Sequence, residues 1–273
     1  MLYRIYDLPT WLFGVLTVSV FAMASCGGLV LMRAWIRKHL RLSNDTNDAV
    51  NAYFAGVGIF YGLLLGLVGV ATWQNFDAAS SLISKEAATV GALYRNVSSY
   101  PEPFKGQLQG HLQNHATYVI DKDWLAQQHG RVLTGGTLIL SEFQRTLMSF
   151  EPAPGGQTIL HAETLRAFNN LIEARRLRLD AVTAGLPSVL WSVVLIGAVL
   201  SVFVTYFFHI EDQKLHLILT GTLGIFIGLM VFLTAAVDNP FRGQVGVSSD
   251  SYRLIREGLM DLKPSLDRDS PKR

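Results

Sequence analysis

The sequence predicts an all-α integral membrane protein with four transmembrane helices and a helical extramembrane insert between the second and third. Half of the residues are hydrophobic and only 16% are charged, whereas soluble domains carry about 25% charged residues. The deficit is concentrated in segments that contain no Asp, Glu, Lys or Arg, and each is long enough to cross a hydrocarbon core of roughly 30 Å as a helix. These segments are 8–32, 49–76, 181–208 and 217–237.

Composition also excludes several classes of protein. Such long apolar segments are incompatible with a water-soluble enzyme. They also exclude a membrane β-barrel, because its strands need only about 10 residues and have an alternating pattern. The net charge of +2 is not gathered into a basic stripe, so we expect no nucleic-acid partner. The sequence contains no recognisable catalytic motif. We therefore expect no enzymatic activity, no cofactor and no bound metal.

Tryptophans mark the ends of the first three spans, as is typical of side chains at the membrane interface. Trp11 and Trp35 bracket the first span, Trp73 ends the second, and Trp191 follows Pro187 at the start of the third.

The insert, 77–180, has apolar residues at helical spacing. We expect its first helix to continue from span two without a break, and its last helix to continue into span three. A polar tail, 238–273, follows the fourth span.

Glycines recur at intervals of four in two spans, which places them on one face of each helix. Such faces allow close approach of helices in lipid. We favour packing within the chain, with a subunit contact or a pore-facing strip as the alternative. The helix-packing candidates are Gly58, Gly62 and Gly66 in span two, and Gly224 and Gly228 in span four.

Three arginines shortly before span three, Arg175, Arg176 and Arg178, are candidates for binding anionic lipid headgroups or small anions. We favour the other interpretation, a helix face that is solvated or paired with Glu173 and Asp180.

The spacing of His111 and His115 would suit two metal ligands on one helix face. Since no third ligand is evident, we favour solvated histidines.

The sequence after span four contains Asp238, Pro240, Phe241, Arg242 and Gly243. Proline cannot continue the helix and glycine permits a backbone turn. We interpret the segment as a helix stop and interface anchor, with Phe241 lying back on the bundle and Arg242 reaching headgroups or a carboxylate. A mouth-lining or subunit-locking element is the alternative.

These features together resemble the bestrophin-like family of bacterial membrane proteins. The resemblance rests on the order of spans and insert, the closing Asp-x-Pro-Phe-Arg-Gly, and local matches at 73–77, 92–95 and 175–187. It implies kinship with bestrophins, which are pentameric anion channels with four membrane helices per subunit and cytoplasmic termini. The chain has no dense acidic run like their calcium clasp. The counterpart of their aromatic-lined neck is Ile59, Phe60 and Tyr61.

We therefore expect a homo-oligomeric, pentameric ion channel, selective for anions such as chloride, with span two lining the pore at Ile59, Phe60 and Tyr61. The expected location is the bacterial inner membrane, with the lipid bilayer and further copies of the chain as partners. Charges flanking the spans do not decide the orientation, and the resemblance favours a cytoplasmic insert. The alternative function is a non-transporting scaffold or sensor whose insert binds a partner.

Overall fold

The computed structural model describes residues 8–40 and 44–260, and the regular secondary structure in this part of the chain is entirely helical. The predicted fold class, four membrane-spanning helices with a helical insert, is confirmed. Residues 261–273 of the predicted polar tail lie outside the described residues. The helices are α1 (Thr10–His39), α2 (Asn44–Val97), α3 (Phe104–Tyr118), α4 (Trp124–Gln128), α5 (Gly135–Met148), α6 (Gly156–Ala181), α7 (Ser188–Thr205), α8 (Gln213–Asp238) and α9 (Asp250–Ile255).

The described chain divides into two compact units. The membrane unit comprises 8–40, 44–76, 185–239 and 243–245, and the insert unit comprises 77–184, 240–242 and 246–260. Helices α1, α2, α7 and α8 are long and apolar enough to cross a membrane.

Helix α2 is continuous over 54 residues, so the prediction that the first insert helix continues from span two is confirmed. At a rise of 1.5 Å per residue its length is about 80 Å. No proline interrupts α2. Gly91, in the part of α2 that follows the span, is tolerated because one glycine costs only about 1 kcal/mol in a helix.

The prediction that the last insert helix continues into span three is wrong. Helix α6 ends at Ala181 and α7 begins at Ser188. Pro187 lies just before α7 with φ −54° and ψ 136°. Proline has no amide hydrogen and disfavours a helical conformation in the residue before it, so the helix cannot run through this point.

In the membrane unit, α1 packs against α8 through small residues. A Cβ atom on Gly228 would lie 3.0 Å from the Cα of Val18, and one on Gly224 would lie 3.0 Å from the carbonyl oxygen of Phe21. Both glycines are buried. The backbones therefore approach too closely for a larger side chain at either position.

Tyrosines connect the other helices of the membrane unit. The Tyr206 hydroxyl of α7's C-terminal end donates to the carbonyl oxygen of Ser25 in α1 at 3.0 Å. The Tyr61 hydroxyl of α2 donates to the carbonyl oxygen of Val194 in α7 at 3.2 Å. Each hydroxyl is buried with a partner, as a polar group in an apolar setting must be to avoid a large desolvation penalty.

The insert unit has its own apolar core. Phe143 of α5 stacks on Phe168 of α6, with ring centroids 5.2 Å apart. Leu108 and Leu112 of α3 are fully buried. A π-helical turn, Val119–Asp123, joins α3 to α4 and ends at a buried carboxylate.

Candidate functional site

The predicted pore-lining segment of α2 has one exposed and one buried side. Phe60 is 76% exposed and Ile59 is similarly open, whereas Tyr61 is only 8% exposed. A Cβ atom on Gly197 of α7 would lie 2.5 Å from the Tyr61 ring. Since Tyr61 is packed inside the chain's own membrane unit, it is withdrawn from the pore-lining candidates, and Ile59 and Phe60 remain.

The glycines of α2 lie on the exposed side and continue it along the helix. A Cβ atom on Gly58, Gly62 or Gly66 would meet no atom of the described residues within 4 Å. The preference for packing within the chain therefore does not hold for these three glycines. We define the outer face of α2 as the exposed residues Gly58, Ile59, Phe60, Gly62, Leu63, Gly66 and Leu67.

The insert unit contains a buried ionic cluster, defined here as Glu86, Asp123, Gln127, Arg175 and Arg178. Arg178 Nε and Nη2 donate to the two carboxylate oxygens of Glu86, and Nη1 donates to the Gln127 amide oxygen at 2.7 Å. Arg175 Nη1 donates to Asp123 Oδ2 at 3.4 Å. Two arginines thus neutralise two carboxylates away from water.

This placement corrects the interpretation of the arginines. Arg178 is completely buried and Arg175 is 4% exposed. Their partners are Glu86 and Asp123 rather than Glu173 and Asp180. Of these three arginines, only Arg176 is exposed. The cluster residues Glu86, Asp123 and Gln127 did not emerge from the sequence as site residues.

The environment of the cluster shifts the pKa values of its neighbours. Burial lowers the pKa of His115 well below its ordinary value, and Arg175 and Arg178 lower it further. Burial raises the pKa of the Tyr252 hydroxyl, and the Glu86 carboxylate adds to this shift. Burial also raises the pKa of Asp123, against the opposing effect of the two arginines. His115 is therefore neutral at physiological pH.

His115 also corrects the expectation of solvated histidines, because its side chain is fully buried on α3. His111 is partly exposed, and its Nε2 lies 3.4 Å from the Thr146 hydroxyl. Within residues 8–40 and 44–260, no cluster of three or more His, Cys, Asp or Glu side chains could hold a metal ion.

Asp238 joins the end of α8 to the segment that starts α7. Its Oδ1 accepts from the backbone N–H of Leu186 at 2.6 Å, and its Oδ2 accepts from the Trp191 indole at 3.2 Å. The Asn239 side-chain amide also donates to Oδ2, at 3.3 Å. The buried carboxylate is therefore held by three donors, and a hydrogen bond to a charged acceptor contributes about 1.5–3 kcal/mol.

The residues after Asp238 begin a turn. Phe241 is buried, with its ring centroid 5.8 Å from that of Trp124 in the same unit. The Arg242 guanidinium lies against Gly130, where a side chain would overlap it. Gly243 has a φ of 74°, which fits the predicted glycine turn.

A family model described as a bestrophin-like domain matches residues 19–252. The chain belongs to the bestrophin-like family. It is a membrane protein with the architecture that the resemblance implied, and the matched region includes both the outer face of α2 and the ionic cluster.

Solved structures support the same assignment of fold. A crystal structure of a bacterial bestrophin homologue from Klebsiella pneumoniae, carrying a point mutation, aligns with a TM-score of 0.67 at 13% identity, covering 91% of this chain and 98% of that one. A second mutant of the Klebsiella pneumoniae homologue aligns with a TM-score of 0.65 at 11% identity, over 91% and 99% of the two chains. A crystal structure of a mutant membrane protein gives 0.67 at 12% identity, over 91% and 97%. No curated protein matches the chain.

Proposed function

We propose that this bestrophin-like protein is an ion channel, formed by five copies of the chain in a bacterial inner membrane and selective for small anions such as chloride. In this proposal Ile59 and Phe60 of the outer face of α2 line the pore, and the glycines of that face lie against the neighbouring subunit. Membership of the bestrophin-like family and the shared fold support a channel-type protein rather than an enzyme.

The observation that carries the proposal is the exposure of Ile59 and Phe60 within a membrane-spanning helix. On the opposite side of α2, Leu65 and Val68 are buried in the membrane unit, so one side of the helix is packed while the other is open. A ring of large apolar side chains around a shared axis forms a constriction that gates by dewetting.

The charge pattern of α2 is compatible with anion passage. Residues 49–76 contain no Asp or Glu, so no carboxylate on this part of the helix would repel an anion. The edge of an aromatic ring carries partial positive charge. Phe60 therefore offers an anion a weakly favourable contact at the proposed constriction.

The exposed glycines on the same helix offer a means of assembly. Gly58, Gly62 and Gly66 have no neighbour in the described chain that a Cβ would touch. In lipid, small residues at this spacing let helices approach closely and gain dispersion contacts. Glycines on the outer face thus suit close contact between neighbouring subunits.

Two measurements test the proposal together. Native mass spectrometry in mild detergent should give five copies of the chain, and the purified protein in liposomes should release chloride faster than empty vesicles. A monomer or dimer would contradict the pore, as would an absence of chloride flux in several lipids and at several pH values. Either result would favour a scaffold or sensor.

A further inference from the structure

A groove of about 450 Å³ lies between α5 and α6 of the insert unit. This volume is within the roughly 300–1,000 Å³ that small-molecule sites occupy. We call it the α5–α6 groove. Its lining includes Thr137, Leu140, Phe168, Ile172, Arg175, Arg176 and Asp180.

The helix pair gives the groove two different ends. Gly136, at the start of α5, lies against the Arg175 guanidinium, whereas Phe143, later in α5, stacks on Phe168. The two helices are therefore antiparallel. One end of the groove carries the arginines and lies beside the N-terminal turn of α5, and the other is apolar.

One nitrogen of the Arg175 guanidinium is not used in its bond to Asp123. The side chain is 95% buried. Its Nη1 is bonded to Asp123, while Nη2 is buried without a hydrogen-bonding partner in the described chain. A buried unpaired donor on a guanidinium is costly, so a ligand that supplied an acceptor would be favoured.

Gly136 makes this arrangement possible. A Cβ atom there would lie 2.6 Å from Arg175 Nη2, so any larger residue would displace the guanidinium. Helix α5 has no side-chain cap on its first turn. Its backbone N–H groups and helix dipole add to the attraction for an anion at this end.

The charges that face the groove are two cations and one carboxylate. Arg175 and Arg176 are on the lining together with Asp180. Counted with the buried cluster, Arg175, Arg176 and Arg178 are balanced by Glu86, Asp123 and Asp180, so the polar end carries no excess charge. An anion there would be held by the directed N–H donors of Arg175 and Arg176.

We propose that the α5–α6 groove binds a small organic anion that carries a carboxylate on an apolar body. The carboxylate accepts from Arg175 and Arg176 beside the first turn of α5. The apolar body lies along Leu140, Phe168 and Ile172. This site belongs to the insert unit and is independent of the proposed pore.

The test uses 3-phenylpropionate as the probe, titrated by calorimetry into the purified full-length protein against a protein-free detergent blank. We expect binding with a Kd near or below about 1 mM. Acetate, which lacks the apolar body, and 3-phenylpropan-1-ol, which lacks the charge, should each bind at least about tenfold more weakly.

Variants at exposed positions avoid disturbing the fold. Arg176→Gln should weaken binding about tenfold, and Ile172→Glu should abolish it because it places a carboxylate in the groove. The matched control is Arg166→Gln, which removes an exposed arginine from the same helix outside the groove and should leave binding unchanged.

Equal binding of the alcohol and the acid would overturn the proposal. So would wild-type binding by both Arg176→Gln and Ile172→Glu, or no binding at about 10 mM probe. The readout is binding alone, so a protein that conducts no chloride is tested in the same way.

Discussion

The membrane unit and the insert unit satisfy their buried polar groups in different ways. In the membrane unit, hydroxyl and imidazole groups bond to backbone carbonyls, as Tyr61 does to Val194 and His216 does to Thr205. In the insert unit, full charges are buried in opposite pairs, with Arg178 bound to Glu86. Helices of the membrane unit also approach closely at glycines, whereas helices of the insert unit are connected by ion pairs.

The difference follows from what each segment can leave exposed. A charged side chain in a membrane-spanning helix has a high free-energy cost in the bilayer. Neutral side chains that bond to backbone carbonyls avoid this cost. A water-exposed insert can bury charges when they are paired and hydrogen-bonded, although such pairs are weak sources of net stability. We therefore expect the insert to respond most to changes of charge, and the membrane unit to changes of volume.

The largest effect should come from Glu86→Gln. The substitution leaves Arg178 buried without its carboxylate, which destabilises the insert by about 3–5 kcal/mol. Hydrogen exchange followed by mass spectrometry should show much faster exchange of α6 amides. The control is Glu163→Gln, which removes an exposed ion pair with Arg166 and should change the stability by no more than about 1 kcal/mol. Equal exchange in both variants would contradict the distinction between the units.

A smaller effect is expected from volume in the membrane unit. Gly224→Leu places a side chain against Phe21 and Ser25, so overpacking should cost about 1–3 kcal/mol and lower the thermal unfolding temperature. Gly62→Leu, on the outer face of α2, should change the stability of the monomer by no more than about 1 kcal/mol but reduce the oligomer seen in native mass spectrometry. The same loss of monomer stability in both would remove the contrast between covered and open glycines.

The pH dependence of the insert should be smaller again and traceable to His115. Because its pKa in the folded protein is below the ordinary value of 6.5, the unfolded chain binds more protons as pH falls below 6.5. Stability is then complete above pH 6.5 and decreases on acidification, by about 1 kcal/mol between pH 6.5 and 5.5. Thermal unfolding across this range measures it.

Two histidine variants assign this slope. His115→Gln, which does not titrate, should flatten it, and the control His111→Gln, on the same helix, should retain it. An unchanged slope in His115→Gln would show that other groups cause the pH dependence.

The four spans could be predicted from the sequence because absence of charge over a helix length is a one-dimensional signal. The break before α7 also has a signal in the sequence, because Pro187 interrupts a helical apolar pattern that continues on both sides. The burial of Arg175 and Arg178 had a signal as well. They continue the spacing of Phe168 and Leu171 along the buried side of α6.

The partners of these arginines could not be predicted. Glu86 lies 92 residues from Arg178, and Asp123 lies 52 residues from Arg175. Helical periodicity shows which side of a helix is buried but not which helix covers it. For the same reason, Gly58, Gly62 and Gly66 share their spacing with Gly224 and Gly228, although in the described part of the chain the α8 pair is covered and the three α2 glycines are not.

Chloride flux through Phe60→Ala, compared with Phe226→Ala, tests most directly whether the outer face of α2 lines the pore. Both phenylalanines are exposed on membrane-spanning helices, Phe60 by 76% and Phe226 by 55%, so the loss of apolar surface is matched. Removing an apolar constriction should raise flux at least about threefold in Phe60→Ala, while Phe226→Ala conducts like the wild type. Equal flux in wild type and both variants would contradict the assignment of the pore to α2.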